Sequence, residues 1–271
     1  DNRTTAKPCT IKNINLIQQG STLAAYNGWI CQYKFGYNLP VNTTITIENC
    51  DTSGNLINRD CGGIGGQYVG HKNNGTIRIK NCSFTGKIKS DYGGGIVGRW
   101  WGRENNGTMI IENCYQTGGD ITGRHTGGIV GRDAGYKSQS GSLTIRNCYS
   151  TGKINGEEID DITASPGGAG GIGGLLVGNN CANLTIDSCY SLGDITGRDC
   201  GGIAGGGIAN KTGSYTVVIT VKNCYARGDV SGNTSGGIFG NDVYGNNLTV
   251  KNCYCLSNVL GSEVSSVDVT E

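Results

Sequence analysis

Apolar and polar residues alternate along this chain in short bursts, and the bursts recur in one phrase. Each pairs two aliphatic residues in alternation with Asn-Cys or Ser-Cys: ITIENC (45–50), IRIKNC (77–82), MIIENC (109–114), LTIRNC (143–148), LTIDSC (184–189), ITVKNC (219–224) and LTVKNC (248–253). A Gly-Gly-Ile follows at CGGIGG (61–66), GGGIVG (93–98), TGGIVG (126–131), GGIGG (170–174), CGGIAG (200–205) and SGGIFG (235–240). The cysteines are 32, 32, 34, 41, 35 and 29 residues apart. A period of this size means stacked supersecondary units.

Three apolar stations mark each unit. The first is the alternating pair, such as Ile77 and Ile79. The second is a single aliphatic residue: Ile88, Ile121, Ile154, Ile195 and Val230. The third is the Ile of Gly-Gly-Ile: Ile64, Ile96, Ile129, Ile172, Ile203 and Ile238. Short alternating segments rich in Ile, Val and Thr predict strands, and the glycines between them predict tight turns. Three strands per turn predict an all-β fold, a right-handed, three-sided parallel β-solenoid of about seven coils. The segments after Gly-Gly-Ile, RWWGRENNG (99–107), RDAGYKSQSG (132–141) and GGIANKTGSY (206–215), read as variable loops.

Outward charges test the stacking. Glu48, Lys80, Glu112, Arg146, Asp187 and Lys222 alternate in sign before Lys251 ends the column. Parallel in-register strands bring such residues to roughly 4.8 Å, where opposite charges attract. Lys87, Asp120, Lys153, Asp194 and Asp229 repeat the alternation in part. Residues 1–43 read as an N-terminal cap with a first irregular coil, 44–255 as the solenoid, and 256–271 as a C-terminal cap or linker.

Composition narrows the classes. Gly contributes 49 residues and Pro 3, without a Gly-X-Y period. A formal charge of +1 leaves no electrostatic footprint for nucleic acid, and no apolar run suits membrane insertion. The start at Asp1 reads as a processed chain or an excised fragment. Nine sequons offer N-glycosylation on an exported chain: Asn2, Asn42, Asn74, Asn81, Asn106, Asn183, Asn210, Asn233 and Asn247.

With NCYSTGKI followed by GGIVG-type glycines over about residues 44–254, the chain resembles the GLUG-motif repeats of bacterial and giant-virus surface proteins. More loosely it is similar to pectin-lyase-type β-helices. The resemblance implies a secreted, cell-surface or virion-surface protein, adhesive or fibre-like. Its partners would be host-surface glycans or proteins, or neighbouring fibre subunits. It supplies no catalytic motif and no cofactor.

Several columns carry candidate chemistry. Cys50, Cys82, Cys114, Cys148, Cys189, Cys224 and Cys253 form a structural ladder of small buried thiols, with disulfide bridging and metal binding as competing readings. Asn49, Asn81, Asn113, Asn147, Asn223 and Asn252 read as an amide ladder. Tyr115, Tyr149, Tyr190, Tyr225 and Tyr254 read as an aromatic stack or a sugar-binding strip. Asp60, Asp91, His125 and Asp199 precede Gly-Gly-Ile and would suit a carbohydrate-active β-helix enzyme. Outward Thr44, Thr46, Ser142, Thr144, Thr185, Thr220 and Thr249 suggest an ice-binding face, interrupted by Arg78, Ile110 and the charged column beside them. The sharpest binding candidate is Arg99-Trp100-Trp101-Gly102-Arg103, where aromatic residues between arginines suit a sugar face or a protein hot spot. A non-enzymatic display module is the expectation, with the enzyme as its competitor.

Overall fold

The computed structural model describes residues 7–17, 22–156, 167–232, 234–244, 248–255 and 269–270. It is a parallel β-solenoid of about six turns, with no helix among the described residues. Three sheets form the stack, two along its length and a shorter third in its middle coils. The first holds Cys9–Lys12, Thr44–Glu48, Thr76–Lys80, Thr108–Glu112, Ser142–Arg146, Leu184–Asp187, Ile219–Lys222, Leu248–Lys251 and Val269–Thr270. The second contains eight strands, from Asn15–Ile17 to Tyr254–Cys255, and the third four, from Ile88–Lys89 to Ile195–Gly197.

Register follows the repeat. Ile45 lies beside Ile77, Ile77 beside Met109, and Leu143 beside Leu184. The first strand pairs Cys9 with Ile45 and Lys12 with Glu48, so the N-terminal segment already supplies a rung of regular geometry. Side chains alternate strictly: in Thr76–Lys80 the two isoleucines are buried and the other three residues half-buried. The three predicted apolar stations supply the core, with Ile79, Ile88 and Ile96 fully buried.

A fourth apolar column stands where variable loops were expected. Phe35, Val69, Trp101, Ala134, Val177 and Ile208 succeed one another, because Gly70, Gly102, Gly135, Gly178 and Ala209 each donate a backbone hydrogen bond to the member of this column one coil earlier. The stretch 99–107 is therefore part of the repeat. Trp101, 1% exposed, stands next to Ala134 in this column, so a large side chain neighbours a small one.

The outward charges pair in twos. Lys80 reaches Glu48 at 2.6 Å, Arg146 clasps Glu112, and Lys222 reaches Asp187 at 3.3 Å. Each exposed pair contributes only about 0–1 kcal/mol, so the column acts mainly on register. The cysteine ladder is free, buried from Cys50 to Cys224 and half-buried at Cys253. Its thiols donate to carbonyls of their own coil, as Cys82 does to Lys80 at 3.2 Å. Asn81 donates to Asn49 at 3.1 Å, and Asn113 to Asn81 at 3.0 Å. These asparagines sit in left-handed conformation, φ 54° at Asn49 and 52° at Asn81, which Asn tolerates better than most residues.

The tightest point is Gly-Gly-Ile. Gly63 donates to the carbonyl of Gly95, and Gly95 to that of Gly127. A Cβ on Gly95 would stand 2.1 Å from the carbonyl oxygen of Gly128, an atom fixed by its own ladder. Gly95→Ala is therefore expected to abolish the cooperative thermal transition followed by circular dichroism. At Gly213, where no atom lies within 4 Å of an added Cβ, alanine meets only the left-handed backbone preference, a cost of about 1–2 kcal/mol. Equal melting of the two variants would refute the steric account.

Candidate functional site

Most Gly-Gly-Ile corners are flanked by two backbone positions in left-handed conformation, and these two columns carry much of the aromatic and acidic chemistry. The column before the corner holds Tyr26, Asp60, Tyr92, His125 and Asp199, with φ between 55° and 73°. The column after it holds Lys34, Tyr68, Trp100, Asp133 and Leu176, with φ between 59° and 65°. The reversal of the chain brings the columns side by side: Gln67 donates to the carbonyl of Tyr26, and Gly206 to that of Asp199. Bulky residues in this conformation are uncommon.

The result is a ridge of aromatic rings and guanidinium groups. Trp100 lies 4.7 Å from the ring of Tyr68, which stacks on His71 at 4.9 Å. Arg99 covers Trp100 at 3.7 Å and Tyr92 at 4.7 Å. Arg103 approaches Trp100 at 5.1 Å and Tyr136 at 5.2 Å, and donates to the Tyr68 hydroxyl at 3.1 Å. Tyr33 closes the N-terminal end, 5.7 Å from Tyr68 and 6.2 Å from Tyr26.

Acids beneath the ridge fix the arginines. Asp60 is fully buried and takes Arg59 Nε at 3.0 Å, with Arg99 Nη1 at 3.9 Å. Arg99 Nη2 continues to Asp133 at 3.3 Å, and Arg132 Nε meets Asp133 at 3.1 Å. Burial raises both carboxyls above the ordinary aspartate value, with the arginines offsetting part of the effect. Arg99 thus stands between Asp60 and Asp133.

Two sequence expectations are corrected here. Trp101 is a core residue and takes no part in a binding surface, because it occupies the apolar position before Gly102 that Val69 fills before Gly70. Of the four residues Arg99, Trp100, Trp101 and Arg103, the structure brings three together on the ridge. Asp60 and Asp91 do not share a station. Asp60 aligns with Tyr92 and His125, two residues before each Gly-Gly, whereas Asp91 aligns with Arg59 and Arg124. Asp91 is bound by Arg124, with Nη2 at 2.7 Å and the backbone N–H at 3.0 Å. The cysteine and asparagine columns stand as structural ladders. Among the described residues no cluster of His, Cys, Asp or Glu is arranged to hold a metal ion.

The tyrosine column is a stack. Tyr149 and Tyr190 lie 4.8 Å apart at 1°, and their neighbours follow at 5.0 Å. Ring faces engaged with one another leave only edges for a sugar. Thr144, Thr185, Thr220 and Thr249 do line up in register. The charged column runs beside them, two residues further along each strand, and Arg78 and Ile110 continue the row. Of the sequons, Asn42, Asn81, Asn106 and Asn183 are exposed and Asn74 and Asn210 half-buried, while Asn2, Asn233 and Asn247 lie outside the described residues. Asn81 spends its amide in the ladder, and Asn106 donates to Asn74 at 3.2 Å.

Sequence reasoning missed Tyr26, Tyr33, Tyr68, Tyr92 and Tyr136. The signal was present: aligning Gly66, Gly98 and Gly131 puts Tyr68 in frame with Trp100. No protein-family model matches the chain, and neither the curated proteins nor the solved structures provide a match.

Two outcomes follow. Trp101→Ala should cost about 3–5 kcal/mol in urea unfolding, as other large buried aromatics do, while Trp100→Ala should leave stability nearly unchanged; equal losses would contradict the assignment of their faces. The second concerns acid. Burial alone would raise Asp91, but hydrogen bonds from the Arg124 side chain and backbone outweigh it, leaving its carboxyl below the ordinary value. A depressed carboxyl stabilises the fold above its unfolded value, about 3.9, and the contribution disappears as pH falls through the folded value. Asp91→Asn should therefore lower the urea midpoint at pH 7 and approach wild type near pH 2.

Proposed function

We propose that this chain is a non-enzymatic display module of an exported, cell-surface or virion-surface protein. Its aromatic–arginine ridge binds a host-surface glycan or protein, and its rod holds that ridge rigid. The observation that carries the reading is the convergence of Tyr68, Tyr92, Trp100 and Tyr136 with Arg99 and Arg103 on one corner. Aromatic faces and arginines are the residue types that concentrate binding energy at recognition surfaces. The rest of the surface is largely spent on holding the coils together, through the charge, asparagine and tyrosine columns. The sequons and the likeness to GLUG-motif surface proteins support the exported location.

Function by presentation makes a direct demand on rigidity. The ridge side chains stand on backbone that is hydrogen-bonded above and below: Tyr68 N–H donates to Arg99 O at 3.0 Å, and Trp100 N–H to Arg132 O at 3.0 Å. Little ordering entropy remains to be lost on binding, which favours affinity. In a glycan array with matched host-surface pull-down, the wild-type chain should give defined hits that Trp100→Ala and Arg103→Gln each reduce at least tenfold. Retention of all hits by both variants would remove the ridge from the function. Turnover of a polysaccharide, lost in Asp60→Asn, would replace presentation with catalysis.

A further inference from the structure

The N-terminal end of the ridge opens into two cavities that the foregoing reading does not use. The first, about 420 Å³, is lined by Ala25, Tyr26, Asn27, Tyr33 and Gln67. Its walls are two tyrosines, 40% and 44% exposed, whose rings are tilted 60° to each other. Its polar lining comes from amides. Gln67 is buried, and the Asn27 side-chain Oδ1 accepts from Tyr33 N–H at 3.1 Å while its Nδ2 donates to Ala25 O at 3.1 Å, which fixes the loop between the two rings. Aromatic walls with a few oriented amides suit a pyranose: its C–H face packs on a ring while its hydroxyls meet hydrogen-bonding groups.

The second cavity, about 220 Å³, is lined by Ile57, Arg59, Lys89, Ser90, Asp91 and Gly123. Two of these residues are cations, and the one acid among them, Asp91, is held by Arg124. Arg59 gives its Nε to Asp60 and keeps a side chain 54% exposed. Lys89 is exposed. The pocket thus presents positive charge to an incoming anion, with the guanidinium fork suited to a planar carboxylate or to sulfate.

Arg59 joins the two. Its guanidinium lies 5.8 Å from the Tyr26 ring, which lines the first cavity, and the same side chain lines the second. Tyr26 and Arg59 belong to successive coils, since Tyr26 N–H donates to Arg59 O at 3.0 Å. Arg59 is therefore one coil from Tyr26, roughly 4.8 Å along the stack, and Lys89, beside Ile57 in the register, lies a second coil further, so the two openings together span neighbouring sugars of an oligosaccharide.

From this arrangement we propose that Tyr26 and Tyr33, with Asn27 and Gln67 beside them, hold one pyranose ring of an acidic oligosaccharide, and that Arg59 and Lys89 bind a carboxylate or a sulfate on a neighbouring sugar. The site selects acidic over neutral glycans. This rests on the glycan-binding reading of the ridge and adds the ligand class and a second locus, away from Trp100.

Titration calorimetry of the full chain with three probes tests it: an oligogalacturonate for the carboxylate, a sulfated heparin-type oligosaccharide for the sulfate, and a neutral cello-oligosaccharide of equal length. At least one acidic probe should bind well above the neutral one, weaken with added salt, and lose roughly tenfold or more in affinity in Lys89→Gln and in Arg59→Gln. Which acidic probe binds distinguishes the two anions. Tyr33→Ala should weaken the same probe. Because Arg59 also partners buried Asp60, Lys89→Gln carries the test if Arg59→Gln fails to fold. Equal binding of acidic and neutral probes, or unchanged affinity in Lys89→Gln and Tyr33→Ala, overturns the site. If Trp100→Ala alone removes binding, the ridge stands and this site falls; if no probe binds and the glycan array is also blank, both fall.

Discussion

Between each Gly-Gly-Ile corner and the next coil there is no room for a side chain. Added Cβ atoms at Gly63, Gly95, Gly128 and Gly171 would each approach a carbonyl oxygen of the following coil to 2.0–2.2 Å. This close approach lets backbone groups of successive corners pair directly, and it fixes the position at which one coil sits on another. The core stations inherit their register from it, because the aliphatic residue that follows is carried inward at the same height in every turn. The ridge inherits it too: the reversal at the corner is what puts the two left-handed columns beside each other.

Ladders elsewhere refine this stacking. Charges, amides and phenol rings each occupy one column and pair with a neighbouring copy, while the thiols fill a column of their own and donate to backbone carbonyls. The arrangement resembles cross-β stacking in its repeat distance, yet it is closed within one chain. Most of the polar surface is consequently committed to intramolecular pairing. At the corner the columns are heterogeneous instead: Tyr26, Asp60, Tyr92 and His125 do not pair as equals, nor do Tyr68, Trp100 and Asp133. Buried aspartates pin the arginines, and the arginines cover the rings.

Periodicity made the core legible before any coordinates. Ile77, Ile88 and Ile96 were placed by spacing alone, and alternating signs at Glu48, Lys80 and Glu112 correctly implied parallel in-register neighbours. What escaped was the fourth column, since Phe35, Val69, Trp101, Ala134 and Val177 share no residue type, only a following glycine. Volume there is conserved across coils instead of at each one, so a residue-by-residue reading saw loops. The same frame would have separated Trp101 from Trp100. Asp91 was misplaced for a related reason: an offset of one residue before Gly-Gly changes the side chain it faces, and acidic character alone does not reveal that offset.

The charge column has an implication for how such a rod changes length. Its ion pairs tie coils in twos, Glu48 with Lys80, Glu112 with Arg146, Asp187 with Lys222. Deleting a single coil from the middle would bring two like charges face to face and leave one of them without its opposite. Removing or duplicating an adjacent pair would leave every junction in the alternating stretch matched. The quantum of growth for this architecture is therefore two coils, near 64 residues at roughly 32 per coil, and odd-numbered descendants would need a compensating substitution at the seam.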